Sequence, residues 1–209
     1  MVITIDDKPL IEPYSIYIPE VSFETLLKFA TEDISCELLD GVLVIRSPAS
    51  FLHESIFSFL NTVLRIFGTA HSLGIPVGSR FMIKLSEKWA PEPDLMFLTF
   101  EDQKNLKKNY FIGPPSVVFE LLSKTTRNDD IEKKLPQYLK FGVKEVWLID
   151  PEKKCVMLHW SDSSETYYQD AWVHSKIILG FKIRVSWLWT PNSYSIPDIV
   201  QEIDESEKK

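Results

Sequence analysis

Apolar and polar positions along this chain specify its elements one at a time. Phe23, Leu26, Leu27 and Ala30 recur at helical spacing after Ser22 and predict a short amphipathic helix. The following ISCELLDGVLVIRS carries two apolar runs around Asp40-Gly41, a dipeptide that accepts the positive φ angles of a two-residue turn. It predicts a β-hairpin closed by Ser47-Pro48. Leu52, Ile56, Phe59, Leu60, Val63 and Phe67 then predict a longer helix with Gly68 as its stop. Strands are predicted over 79–85 and 95–100, separated by WAPEPD, and 101–113 reads as a loop or short helix. VVFELL and EVWLID are uninterrupted apolar runs, the signature of strands buried on both faces. Between them, Asn128-Asp129-Asp130 caps a predicted helix ending at Phe141 before Gly142. Beyond it, CVMLHW, TYYQ, WVHSKII and FKIRVSWLW read as short antiparallel strands. Residues 1–20 read as an extended N-terminal arm, and 191–209 as an acidic tail that frays. The expected architecture is one mixed α/β domain over 21–190, a central sheet with helices packed against it.

Composition narrows the class. The chain has 209 residues, 44% hydrophobic and 25% charged, which supports one packed core and excludes a disordered or fibrous protein. A net charge of −7 argues against coating nucleic acid by bulk electrostatics but leaves room for a local basic groove. Cys36 and Cys155 are too few for a disulfide framework, and His53, His71, His159 and His174 show no zinc spacing. Acids in MVITIDDKPL and the lack of a run of ~20 apolar residues point to a cytoplasmic protein without a membrane span. Charge is uneven: 104–144 holds nine bases and four acids, a local +5. That polarity fits a basic lip around an acidic pocket, and equally a solvated surface.

Four charged residues stand in unusual places. Glu120 lies inside VVFELL, where an ion without a partner costs several kcal/mol. It is either a buried ion pair or strand-edge residue, or else a metal ligand or general base. Asp94 follows Pro93 and opens the run Leu95-Met96-Phe97-Leu98, where turn chemistry and ligation both account for it. Lys134 falls within the apolar arc of Ile131, Leu135, Tyr138 and Leu139. It either snorkels at the edge of that arc or aims its ammonium at a buried anion such as Glu120. Pro136 weakens the predicted helix locally. Glu37 faces opposite to Cys36 and Leu38 in the hairpin, as ordinary surface acids also do.

PDLMFL, the block VVFELLSKTTRNDDIEKKLPQYLKFGVKEVWLIDP and the upstream CELLDGVLVIRSPASFLHE resemble a restriction-endonuclease family first catalogued as a domain of unknown function. The resemblance covers 22–150 and continues more loosely toward Trp189. It implies a restriction-endonuclease-like fold of the PD-(D/E)xK type, with the N-terminal helix and hairpin before the core and an antiparallel extension after it. By that resemblance Asp94 and Glu120 match the family's acids and would bind Mg²⁺, for which Mn²⁺ could substitute. The PD-(D/E)xK lysine belongs two residues after the acid, where Leu122 stands; Lys134 matches a lysine displaced to the next helix. Glu37 matches an additional acid that ligates or orients water. Lys124 departs from the family, which commonly has proline there. The implied activity is metal-dependent hydrolysis of nucleic-acid phosphodiesters, with DNA the expected substrate. The rival reading is a catalytically inactive module of the same fold that binds DNA or a protein partner; a third makes Glu120–Lys134 a purely structural ion pair. The aromatic runs VSWLW and EVWLI suggest a homodimer interface.

Overall fold

A computed structural model describes residues 14–30 and 34–205, together with the backbone of 4–5 and 8–9. Most of the expected arm over 1–20 therefore lies outside the described residues. Within it, β1 (Ser15–Ile18) is not a free arm but an edge strand. Helix α1 (Phe23–Phe29) starts where predicted, with the Ser22 hydroxyl accepting from the Thr25 N–H. The hairpin of β2 (Cys36–Leu39) and β3 (Val42–Arg46) turns at Asp40 and Gly41, both with positive φ. Strands β1, β3, β2 and the short β6 (Trp89–Ala90) form a four-stranded antiparallel sheet in that order.

Helix α2 (Phe51–Ala70) runs past Gly68, correcting the expected stop. A Cβ at Gly68 would lie 2.8 Å from the Gly74 carbonyl oxygen and from the Phe97 ring, so this glycine permits close helix–strand packing. The helix ends instead at Ser72, whose φ is +54°, with Leu73 N–H bonded back to the Gly68 carbonyl. No helix among the described residues is long and apolar enough to cross a membrane.

The main sheet has six strands: β4 (Gly74–Gly78), β7 (Leu95–Thr99), β9 (Val117–Leu121), β10 (Glu145–Asp150), β11 (Cys155–Trp160) and β12 (Ser163–Tyr168). They are adjacent in that order, with only β9 and β10 parallel. Strand β4 was expected only from 79 onward; Gly74, Pro76 and Gly78 disguise it, and an edge position tolerates the proline. Two small ladders complete the strands, β5 (Met82–Lys84) with β8 (Tyr110–Ile112) and β13 (Trp172–His174) with β14 (Lys182–Arg184).

Alternation divides the core. Leu95, Phe97, Val117, Phe119, Trp147 and Ile149 pack against α2 on one face. Met96, Leu98, Val118, Val146 and Leu148 pack on the other, against α3 (Leu135–Phe141). The segment after β9 begins with a capping box rather than at Asn128. Ser123 Oγ accepts from Thr126 N–H, and Thr126 Oγ1 accepts from Ser123 N–H. Asn128 makes no capping bond. Residues Asp129–Lys134 form a π-helical turn in which the Leu135 N–H reaches the Asp130 carbonyl. Pro136, which lacks an N–H, then falls in the first turn of α3, where none is needed.

The C-terminal end also differs from expectation. VSWLW is a 3₁₀ turn (Val185–Trp189), because the ladder ends where Arg184 pairs with Trp172. Its Val185, Trp187 and Leu188, like Trp147 of EVWLI, are buried in the chain's own core, so these side chains are not available to a second copy. The tail expected to fray forms α4 (Ile196–Glu205), which buries Ile199 and Ile203.

Candidate functional site

The register of β7 and β9 sets the site. It pairs Val117 with Phe97, Val118 with Met96 and Phe119 with Leu95. One step further along the same alignment, Asp94 stands opposite Glu120, both on the face that carries Val118 and Met96. Their carboxylates interlock with the backbone: Asp94 N–H donates to Glu120 Oε2 at 3.3 Å, and Leu121 N–H donates to Asp94 Oδ2 at 2.7 Å.

Lys134 answers this pair. It is only 4% exposed and points inward, with Nζ 3.1 Å from Glu120 Oε1, 3.2 Å from Glu37 Oε2 and 2.9 Å from Asp130 Oδ1. Glu37 reaches it because Cys36 and Leu38 turn into the core beside α1, which sends Glu37 the other way. All four residues singled out from the sequence thus converge at one end of the sheet. The expected lysine position is filled by Leu122, which is buried around Tyr138.

Further groups belong to the same centre. Tyr138 Oη donates to Glu120 Oε1 at 2.7 Å. Arg46 Nη2 bridges Glu37 Oε1 at 2.7 Å and Asp129 Oδ2 at 2.8 Å, tying the hairpin to the π turn. His53 Nε2, from the first turn of α2, lies 3.2 Å from Asp94 Oδ1. Ser35 Oγ donates to Glu92, whose own N–H donates to Glu37 Oε2. Of these, Asp130 and Tyr138 had a sequence signal, since they stand four residues on either side of Lys134. Arg46 was legible from the hairpin, diagonal to Glu37 on one face. His53 was not: its link to Asp94 spans a helix and several strands.

Carboxylates outnumber cations here, and their protonation reflects it. Burial holds Glu120 well above the usual carboxylate range, with Asp130 and Asp94 adding to it against the pull of Lys134. Burial also raises Asp130, and it pushes Glu92 to about 7. Glu37 goes the other way: burial opposes its ionisation, but Lys134 and Arg46 hold it below the usual value. For Asp94 burial is likewise overcome, by the hydrogen bond and charge of His53. Among the described residues no three His, Cys, Asp or Glu side chains form a ready-made metal cage. Two facing oxygen donors with surplus negative charge suit a hard cation that keeps most of its waters, as Mg²⁺ does. The donor set therefore fits that ion.

Comparison with known proteins agrees with this architecture. None of the curated proteins matches the chain. The crystal structure of a protein from Anabaena variabilis ATCC 29413, described as a "putative nuclease belonging to DUF820", superposes with a TM-score of 0.73. It does so at 18% identity, over 81% of this chain and 98% of that one. That likeness establishes the restriction-endonuclease-like fold. The sequence model of the Uma2 family, described as "Putative restriction endonuclease", matches residues 22–186, and the chain belongs to that family.

Proposed function

We propose that this protein is a Mg²⁺-dependent nuclease that hydrolyses phosphodiester bonds of DNA. The observation that carries this reading is the register-fixed pairing of Asp94 with Glu120, with a buried lysine aimed at the same point. Family membership supports a nuclease as the activity class. Asp94 and Glu120 would hold the ion; when bound, it polarises a phosphate oxygen and lowers the pKa of the attacking water.

The chain's own residues supply the rest. Leu121 N–H and His53 fix the two oxygens of Asp94, so this carboxylate is oriented before any ligand arrives. Lys134 remains protonated because Asp130, Glu120 and Glu37 surround it, overcoming the cost of burial. It therefore presents a fixed positive charge to the oxygens that gain charge during hydrolysis. Glu37 and Asp130 aim that ammonium, and Arg46 in turn holds Glu37.

Calorimetric titration with Mn²⁺ tests the reading on wild type, Asp94→Asn and Glu120→Gln, with an oligonucleotide present and folding checked by circular dichroism. Binding by wild type alone, together with cleavage lost in Lys134→Ala, supports it. Cleavage that survives Glu120→Gln and Lys134→Ala overturns it. Equal metal behaviour of all three proteins favours the non-catalytic module.

A further inference from the structure

Beside the carboxylate centre, β1 and the start of the π turn enclose a cavity of about 340 Å³ lined by Tyr17, Lys124, Thr125, Asn128, Asp129, Glu132 and Lys133. Its wall is continuous with the site. Tyr17 Oη donates to Asp129 Oδ2, which also accepts from the same Arg46 nitrogen that holds Glu37. A ligand seated here would therefore lie next to the reacting centre.

The lining has the chemistry of a nucleotide. Tyr17 is 48% exposed although its hydroxyl is anchored, so the ring stands as a fixed platform at the cavity edge. Lys133 Nζ lies 5.5 Å from the centre of that ring and 2.6 Å from Asp129 Oδ1. Asp129 is fully engaged by Tyr17, Arg46 and Lys133, which hold it ionised despite burial, and it has little left to repel an anion. Lys124 is exposed and, like the exposed Asn128, has no ion-pair or side-chain hydrogen-bond partner among the described residues. Lys124 is also the position where this chain departs from the family's proline. The departure places an uncommitted cation at the lip of a cavity that opens beside the site.

We infer that this cavity is a subsite for an unpaired strand of the nucleic-acid substrate. Lys124 and Lys133 take a backbone phosphate next to the reacting one, and the neighbouring base stacks on Tyr17. The inference rests on the nuclease reading for its choice of ligand and deepens it. A base can lie on a protein ring only when it has left its duplex stack, so the preferred substrate has a single-stranded segment at the cut. Asn128 offers an amide to the sugar or base edge.

The test is binding of a fluorescein-labelled single strand, its abasic counterpart and the matched duplex by anisotropy. It is run with Mg²⁺ in the Glu120→Gln background so that cleavage plays no part. Lys124→Ala is expected to weaken single-strand binding about fivefold at moderate salt and to reduce the slope of log K against log salt by ~0.7, one phosphate contact on a single strand. Lys140→Ala, which removes an equal charge from the far end of α3, leaves that slope unchanged. Tyr17→Ala weakens binding roughly tenfold, the scale of one stacked base, and only for the strand that carries a base at that point. Tyr17→Phe, which keeps the ring and loses the bond to Asp129, binds like wild type. Lys124→Ala behaving as Lys140→Ala, or Tyr17→Phe behaving as Tyr17→Ala, overturns the subsite. If these shifts appear but wild type cleaves nothing, the subsite stands and the nuclease reading falls. Cleavage by wild type with none of these shifts has the opposite meaning. No binding of any oligonucleotide overturns both.

Discussion

The two central strands of the sheet each bury a glutamate, and the two residues live in opposite circumstances. Glu145 of β10 is fully buried and surrounded by donors: the Trp147 indole N–H at 2.6 Å, the Ser175 hydroxyl at 2.7 Å and the Lys176 backbone N–H at 2.5 Å. Its carboxylate completes a joint between β10 and the loop before Phe181. Glu120 of β9 is as deeply buried but shares one ammonium with Glu37 and Asp130, and it faces Asp94 across the ladder. Burial alone does not distinguish a structural carboxylate from a working one. The ratio of donors to carboxylates does, and around Glu120 it leaves a deficit of positive charge that a divalent cation can fill.

Removing each glutamate is the sharpest way to break this contrast. Glu145→Ala leaves three buried donors without an acceptor and is expected to cost about 3–5 kcal/mol in urea unfolding. Glu120→Gln relieves repulsion and is expected to change stability by less than about 1 kcal/mol at neutral pH. Similar losses for both would remove the distinction. Lys134→Met alone strands three buried carboxylates and is expected to cost about 3 kcal/mol; adding Glu120→Leu should recover part of that, read by the same unfolding curves. Recovery of all of it would favour a purely structural ion pair.

Metal sharpens the comparison further. Mn²⁺ at one hundred times its Kd should stabilise wild type by about 2.7 kcal/mol in thermal unfolding and leave Asp94→Asn unmoved. Dependence on pH gives the smallest effect but a definite sign. Glu92, raised to about 7 from 4.5, binds its proton more tightly folded than unfolded. Its contribution is complete below 4.5 and is lost as pH rises through about 7. Glu92→Gln should flatten the stability profile over that interval.

Much of the fold was legible because its signals are local. Asp40-Gly41, the Ser22 cap and the apolar runs of β9 and β10 each act within a few residues. Readings failed where a distant partner decides the outcome. Gly68 serves Phe97 and Gly74 rather than the end of its helix, and Pro76 is permitted by an edge that composition does not mark. The helix over Ile196–Glu205 had its own signal, Ile196, Ile199, Val200 and Ile203 at helical spacing, masked by acidic composition. In the site, Glu120 stood out because a charge in a central strand conflicts with its surroundings. Asp94 and Glu37 had ordinary surface explanations, and only strand register brings them together.

The π turn ahead of Pro136 carries a consequence for chains of this kind. A wider turn lines up residues four apart more nearly than an α-helix does, which lets Asp130 and Lys134 meet on one side. A missing N–H at position 136 removes one reason for the preceding turn to tighten into regular helix. The heading of a buried ammonium is thus encoded two residues downstream, in a ring that touches no ligand. Relatives that keep every acid and the lysine but replace that proline could carry the full set of side chains with the lysine rotated off target.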